Sequence, residues 1–318
     1  MLYIGIDVGG TGLKAGVVDE HGNILAKQSC PTGQERGHEA VIHDMAQLAL
    51  KTLEASGHDL SEVHSIGVGI PGIQDPRTGR IPFCPNLSWH DVPLVELMQK
   101  EIDKPVFVNN DATVAALAES VAGVCKGTKN SVLVTLGTGV GGGVIIDGKV
   151  FMGPHGVASE IGHTIIIVGG EPCTCGNAGC WERYASATAI IREGRKFAAA
   201  HPESALYKKV EGKLEKIEAR TVIDLAKEND PDCVKLFDDY CMHLAVGLVN
   251  LINFYDPEVI ALGGGVSHAG SFLLDKVRAL LPKLIFYKAM PYAKIELAQL
   301  GNDAGIIGAA MLGKQTEE

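Results

Sequence analysis

The sequence predicts an α/β protein built from two related domains, and three observations carry that prediction. Its 318 residues exceed the length at which a single hydrophobic core usually keeps growing. Apolar, strand-like runs alternate with segments of helical period along the chain. The second half also repeats the opening pattern: "SVLVTLGTGVGGGVIIDGKVFM" matches "YIGIDVGGTGLKAGVVDEHGNIL" in form. Each reads as apolar strand, glycine-rich hairpin, apolar strand, Asp-Gly-type turn and short strand. Gly9 falls opposite Gly137, and "GVVD" opposite "GVIID" once a gap is allowed. Two such openings, each followed by αβ units, predict a duplicated βββαβα core with a cleft between the domains. The expected division is a small N-terminal domain over 1–109 and a larger one over 110–301. A helix at about 302–318 is expected to return to the first domain.

The elements follow in order. "LYIGIDVG", "LKAGVVD" and "ILAKQS" read as strands, the first so apolar that it belongs inside a sheet. Residues 38–55 place Val41, Ile42, Met45, Leu48, Ala49 and Leu53 at helical spacing and stop at Gly57. "VHSIGVGIPG" is a strand running into a glycine-proline turn, and "PVFVNN" is another. "DATVAALAESVAG" reads as a helix. Residues 187–250 are expected to be mostly helical, with "KKVEGKLEKIEAR" as a solvated face. "EVIALGGGV" is a late buried strand ending in three glycines, and "NDAGIIGAAMLG" is a final helix.

Composition narrows the function classes. With 46% hydrophobic and 21% charged residues the chain is an ordinary globular one. A net charge of −10 without a basic block argues against nucleic acid as a partner, so any phosphate must be held locally. The N-terminus lacks a basic n-region, and no window reaches about 18 uninterrupted apolar residues. The expectation is a soluble, cytoplasmic chain with no signal peptide and no membrane contact.

Three of the eight cysteines sit in one loop, "CTCGNAGC". A reducing compartment disfavours disulfides there. Cys173, Cys175 and Cys180 follow C-x-C-x4-C, and Gly176 and Gly179 let the backbone turn tightly enough for the thiolates to converge. Zinc needs a fourth nitrogen or sulfur ligand, and His163 stands ten residues upstream of Cys173. Ordinary reduced thiols are the alternative, but buried cysteines rarely cluster in a glycine-rich loop. A closed, structural zinc site over 163–180 is expected. Cys30, Cys84, Cys125, Cys233 and Cys241 are scattered and read as plain thiols.

Two segments match G-x-G-x-x-G, at Gly67-Gly69-Gly72 and Gly137-Gly139-Gly142. A dinucleotide fingerprint needs a strand before it and a helix after it. The first runs into Ile70-Pro71 and the second into another strand, so neither qualifies, and no P-loop motif exists. Glycine hairpins can still bind phosphate, because missing Cβ atoms admit oxygens to several backbone N–H groups. "DVGGTGLK" adds Asp7, able to orient a cation or its waters, the Thr11 hydroxyl and Lys14. "LGTGVGGG" offers Gly137, Thr138 and Gly139 in a matching loop.

These motifs together resemble the sugar kinases of the ROK family, within the actin/hexokinase-like ATPases, and the resemblance spans essentially the whole chain. "DVGGTGLK" (Asp7, Gly9, Gly10, Thr11, Lys14) corresponds to the first phosphate motif, and "LGTGVGGG" to the second. "ALGGGV" (Gly263, Gly264, Gly265) corresponds to the adenosine-side motif, and "VNNDATVAALAE" to the catalytic segment. "SEIGH" and "CTCGNAGCWE" match the E-x-G-H and cysteine signatures. Ser159 departs from a common glycine and Trp181 from a common leucine. Family repressors carry a helix-turn-helix before the first phosphate motif, for which a motif starting at Asp7 leaves no room.

The resemblance implies transfer of phosphate from ATP with Mg²⁺ to a hexose, D-glucose first, giving the 6-phosphate. An N-acylhexosamine or fructose kinase is the alternative within the class, and a catalytically silent, sugar-responsive regulator the alternative outside it. It also implies a homodimer or higher homo-oligomer. Asp111 is then the general base, and Asn110, Asp111, Glu160, His163 and Glu182 line the sugar, with Gly72 and Asn86 nearby. Taken alone, Asp111 also reads as a helix N-cap. If His163 ligates zinc through one ring nitrogen, the other is held at fixed orientation for a hydroxyl. The nucleotide loops are expected to have no direct stake in the cysteine loop, so a lost thiolate should weaken sugar binding more than nucleotide binding.

Overall fold

The computed structural model describes residues 1–316. The chain opens with β1 (Leu2–Val8), β2 (Gly12–Asp19) and β3 (Ile24–Pro31), followed by α1 (His38–Ser56). Gly57 ends α1 in the left-handed region at φ 76°, returning its N–H to Glu54 O, a conformation that glycine adopts without steric cost. Next come β4 (Val63–Ile70), β5 (Ile81–Cys84), β6 (Trp89–Val92), α2 (Leu94–Glu101), β7 (Val106–Asn110) and α3 (Asp111–Val121). The second opening supplies β8 (Ser131–Leu136), β9 (Val140–Ile146) and β10 (Lys149–Val150). Helices α4 (Glu182–Ala185), α5 (Ala187–Ala200), α6 (Ala205–Lys209), α7 (Ala219–Lys227) and α8 (Pro231–Tyr255) then run in series. The chain closes with β11 (Val259–Gly263), α9 (Ser271–Leu284), β12 (Lys294–Leu297) and α10 (Ala304–Met311).

The two five-stranded sheets have the same topology, β3-β2-β1-β4-β7 and β10-β9-β8-β11-β12. In each, a meander of three strands is extended by two strands on the side of the first. β1 pairs antiparallel with β2 and parallel with β4, β4 runs parallel to β7, and β11 parallel to β12. The repeat visible in the sequence is therefore a repeat of strand order. By contacts the chain divides into two compact units. The first holds Met1–Leu133, Gly143–Ser159 and the chain from Gln299 onward, and the second Val134–Gly142 and Glu160–Ala298. This division differs from a boundary at residue 110, because α3 packs against α10 and stays with the first unit.

In the first unit, Ile4, Ile6, Leu13, Val17, Ile66 and Val68 form the sheet's share of the core, covered by Val41, Ile42, Met45 and Ala49 of α1. α10 lies against β1 and β4 at backbone distance. A Cβ on Gly5 would stand 1.9 Å from Ile306 O, and one on Gly67 1.7 Å from Ala309 O. Gly67 of the false fingerprint is thus a packing glycine. Glu119, buried in α3, accepts the N–H groups of Val124, Gln299 and Leu300 at 2.9 Å each, tying down the segment that leads to α10.

In the second unit, α8 starts with Pro231 after Asp230, whose side chain accepts the Cys233 N–H. One expectation is corrected here. The strand at "EVIALGGGV" stops at Gly263, because Gly264 turns at φ 81° into a 3₁₀ turn over Gly265–Ala269. Residues 187–250 are mostly helical, as expected, in α5, α6, α7 and most of α8, and the polar stretch 208–220 spans the break between α6 and α7. Glu211 and Gly212 sit at φ 54° and 75° after the end of α6, and the 3₁₀ turn Leu214–Lys216 forms before α7. Among the described residues no helix is long and apolar enough to cross a membrane.

Candidate functional site

In the first unit, β1 delivers Asp7 to the mouth of the hairpin Gly9–Thr11. Asp7 and Lys14 are register partners on β1 and β2, and Lys14 Nζ donates to Asp7 Oδ2 at 3.1 Å. The Gly9 N–H bonds Gly12 O at 2.9 Å, while Thr11 is exposed at the tip. Two residues that sequence reasoning passed over hold this arrangement. The buried Thr32 donates its hydroxyl to Gly9 O at 2.7 Å, and its N–H to Thr11 O at 3.2 Å. Gly305 leaves room for Asp7, since a Cβ there would lie 2.6 Å from the Asp7 carboxyl carbon. Neither carries a sequence signal, because both act through chain segments remote from the hairpin.

The corner between β7 and α3 presents Asn110 and Asp111. Asn110 is the N-cap: its Oδ1 accepts the Ala112 N–H at 3.0 Å, and its Nδ2 donates to Gly72 O at 3.3 Å. Asp111 is the first helical residue, and its Oδ1 also accepts from Ala112 N, at 2.8 Å. The capping alternative for Asp111 therefore passes to its neighbour. Asp111 is exposed at the start of α3, yet the protein packed around its carboxyl thins its hydration and raises its pKa above the ordinary aspartate value; the Ala112 N–H opposes the rise, and the negative charge of Asp7 adds to it. Gly72 is closely walled, a Cβ there meeting Phe83 O at 2.8 Å. Asn86 is exposed in the 3₁₀ turn Pro85–Leu87, with its backbone oxygen facing Gly10.

In the second unit, the hairpin Gly137–Gly139 follows β8, its Gly137 N–H bonding Gly139 O at 3.0 Å. Gly264 is packed against the backbone of Leu136, the residue that enters the hairpin, with Gly263 closing β11 and Gly265 opening the next turn. The segment 182–188 meets the hairpin at three points. Val140 N donates to Glu182 Oε2 at 3.1 Å, Ala187 N to Gly137 O at 2.8 Å, and Thr188 Oγ1 to Thr138 O at 2.7 Å. Glu182 is thus engaged with the hairpin 137–140. The chain leaving the cysteine loop therefore bonds to the second glycine hairpin, a link that the sequence did not suggest.

His163 closes the 3₁₀ turn Ile161–His163, whose first capping residue is the exposed Glu160; the His163 N–H bonds Glu160 O at 3.1 Å. One donor atom from each of His163, Cys173, Cys175 and Cys180 lies within 4.8 Å of the others. His163 Nδ1 stands 3.7 Å from Cys173 Sγ, and Cys175 Sγ 3.6 Å from Cys180 Sγ. Metal–sulfur bonds of about 2.3 Å in a tetrahedron space donors about 3.8 Å apart, so these four residues could hold a metal ion. Gly179 at φ 86° comes so near Ile167 O that a Cβ would lie 1.6 Å away. The Asn177 N–H lowers the Cys175 thiol to about 7, whereas burial raises that of Cys180. Trp181 is an anchor and not a site residue. Its indole is fully buried over Gly247 of α8 and donates to His243 O at 3.0 Å.

Duplicated sheets with a glycine hairpin after the first strand of each are the architecture of the actin/hexokinase-like ATPases. The chain belongs to the ROK family, whose family model matches residues 3–316. It is 38% identical over 316 residues to a glucokinase of Halalkalibacterium halodurans, covering 99% of this chain and 96% of the relative. Among solved structures it is similar to a ROK family glucokinase from Streptomyces griseus in complex with glucose and AMPPNP. That likeness has a TM-score of 0.81 and 36% identity, over 99% of this chain and 100% of the other. A ROK hexokinase from Thermus thermophilus superposes with a TM-score of 0.86 at 31% identity, over 100% of this chain and 99% of the other.

Proposed function

We propose that the protein is an ATP-dependent hexose kinase that transfers the γ-phosphoryl group of ATP to D-glucose, forming glucose 6-phosphate. The observation that carries this reading is the Asp111 carboxyl at the start of α3, raised in pKa beside the Asp7 hairpin. The glucokinase relatives, and the S. griseus enzyme holding glucose and AMPPNP, supply the substrate class. Asp111 accepts the proton of the attacking hydroxyl, and a carboxyl tuned upward is better matched to that transfer near neutral pH. Phosphoryl transfer otherwise needs positioning and charge neutralisation.

The N–H groups of the two hairpins, with Thr11, Thr138 and Lys14, face the phosphates, and Asp7 orients the waters of the nucleotide's Mg²⁺. Gly263, Gly264 and Gly265 serve the adenosine. Asn110, Gly72 and Asn86 in the first unit, and Glu160, His163 and Glu182 in the second, serve the sugar hydroxyls. His163, Cys173, Cys175 and Cys180 would hold a structural Zn²⁺, which fits their sulfur-rich donor set and spacing. With Nδ1 toward the thiols, Nε2 is the nitrogen left for a hydroxyl. A coupled assay for ADP with ATP and Mg²⁺ across glucose, fructose, mannose and N-acylhexosamines tests the reading. The highest kcat/KM is expected for glucose. No turnover with any hexose would overturn the kinase reading, and a better N-acylhexosamine or fructose would replace the substrate.

A further inference from the structure

We propose that Glu182 and Thr188 are positioning residues for the nucleotide, holding the hairpin 137–140 in the shape that presents its N–H groups to phosphate. The proposal rests on the reading of that hairpin as a phosphate loop. Its geometry follows from the three bonds that tie the hairpin to the segment after the cysteine loop. In a trans peptide the C=O and the following N–H point in opposite directions. Ala187 N holds Gly137 O at 2.8 Å, which turns the Thr138 N–H away from the segment. Thr188 Oγ1 holds Thr138 O at 2.7 Å, which turns the Gly139 N–H the same way. Two consecutive amide donors are thereby aimed to one side, the arrangement that makes an anion nest.

Glu182 completes the clamp from behind. Its Oε2 accepts the Val140 N–H at 3.1 Å and lies over Gly139, where a Cβ would come within 2.1 Å of it. A carboxylate close to a phosphate loop is otherwise repulsive; committed to the rear N–H, it fixes the loop instead. A carboxylate has about four lone-pair sites, so Glu182 can hold Val140 and still receive a sugar hydroxyl. Thr188 has no place in the sugar set, which makes it the cleaner probe.

Calorimetry of the full-length protein with AMPPNP and Mg²⁺, in the absence of sugar, tests the clamp. Thr188→Val and Glu182→Ala should each weaken AMPPNP by about tenfold, as expected for one well-made hydrogen bond. Thr188→Ser and Glu182→Gln keep the donor and the acceptor, and should return affinity to within about threefold of wild type. Thr188→Val should leave glucose affinity and melting temperature unchanged. Wild-type AMPPNP affinity in both Thr188→Val and Glu182→Ala would overturn the proposal. So would a Thr188→Val variant that loses glucose affinity and melting temperature alongside nucleotide. Absence of AMPPNP binding by the wild-type protein would instead overturn the nucleotide reading on which the clamp depends.

Discussion

Asp111 is the residue whose chemistry is most exposed to test. Asp111→Asn keeps the shape and loses the base, so kcat should fall by about 100-fold or more while glucose affinity stays near wild type. A variant retaining more than about a tenth of wild-type kcat would exclude the general-base role. The raised pKa gives the pH profile a sign. The base works ionised, so kcat/KM should fall as pH drops through a midpoint above the ordinary aspartate value, and Asp111→Asn should lack that limb. The same shift disfavours the charged form in the folded state. Its penalty is present above the raised pKa and absent in strong acid, so Asp111→Asn should melt no lower than wild type at neutral pH. Ser159 makes a second case: it sits at φ 73°, where a side chain is strained, which accounts for glycine being common there. Ser159→Gly should stabilise by about 1 kcal/mol, read from denaturant midpoints, less whatever its 3.3 Å bond to Phe151 O contributes. Residues like Asp111 were legible because motif and chemistry coincide in a few positions. Thr32, Thr188 and Gly305 were not, because their value lies in the chain segment they face.

At the scale of elements, the strands and most helices follow from local pattern, and departures have local causes. The hairpin β5–β6 and the strand β12 are four-residue pieces, too short for alternation to register. The break between α6 and α7 passes through Glu211 and Gly212, two consecutive residues with positive φ. The seating of α10 shows what pattern cannot convey. Its docking on β1 and β4 relies on Gly5 and Gly67 having no side chain, and Gly67 stands in a sequence that imitates a ligand loop. A Cβ 1.7 Å from Ala309 O requires the helix to move, so Gly67→Ala should cost about 3 kcal/mol. Equilibrium denaturation should show that loss. An unchanged midpoint would mean that α10 adjusts freely.

For the molecule as a whole, the proposed function makes the cysteine loop a link between sugar recognition and nucleotide binding within the second unit. Elemental analysis should find one zinc per chain, absent or weakly held in Cys175→Ser. Losing a metal ligand should cost about 10- to 100-fold in glucose affinity. Because the chain leaving the loop carries Glu182 and Thr188, AMPPNP affinity should fall as well. Unchanged nucleotide affinity in Cys175→Ser would show that segment 182–188 keeps its place without the metal. The sequence by itself determined the α/β class, the duplicated order of strands, both glycine hairpins, the Asn110-Asp111 corner and the grouping of His163 with three cysteines. Each of these is written in short-range pattern, where spacing and residue chemistry suffice. Only the tertiary structure decided that Asn110 is the cap, that α3 and α10 belong with the first sheet, that Trp181 is an anchor, and that Glu182 grips the hairpin 137–140. Those outcomes depend on which distant backbone a side chain meets, and burial and hydrogen bonding across chain separation leave no periodic trace in the sequence.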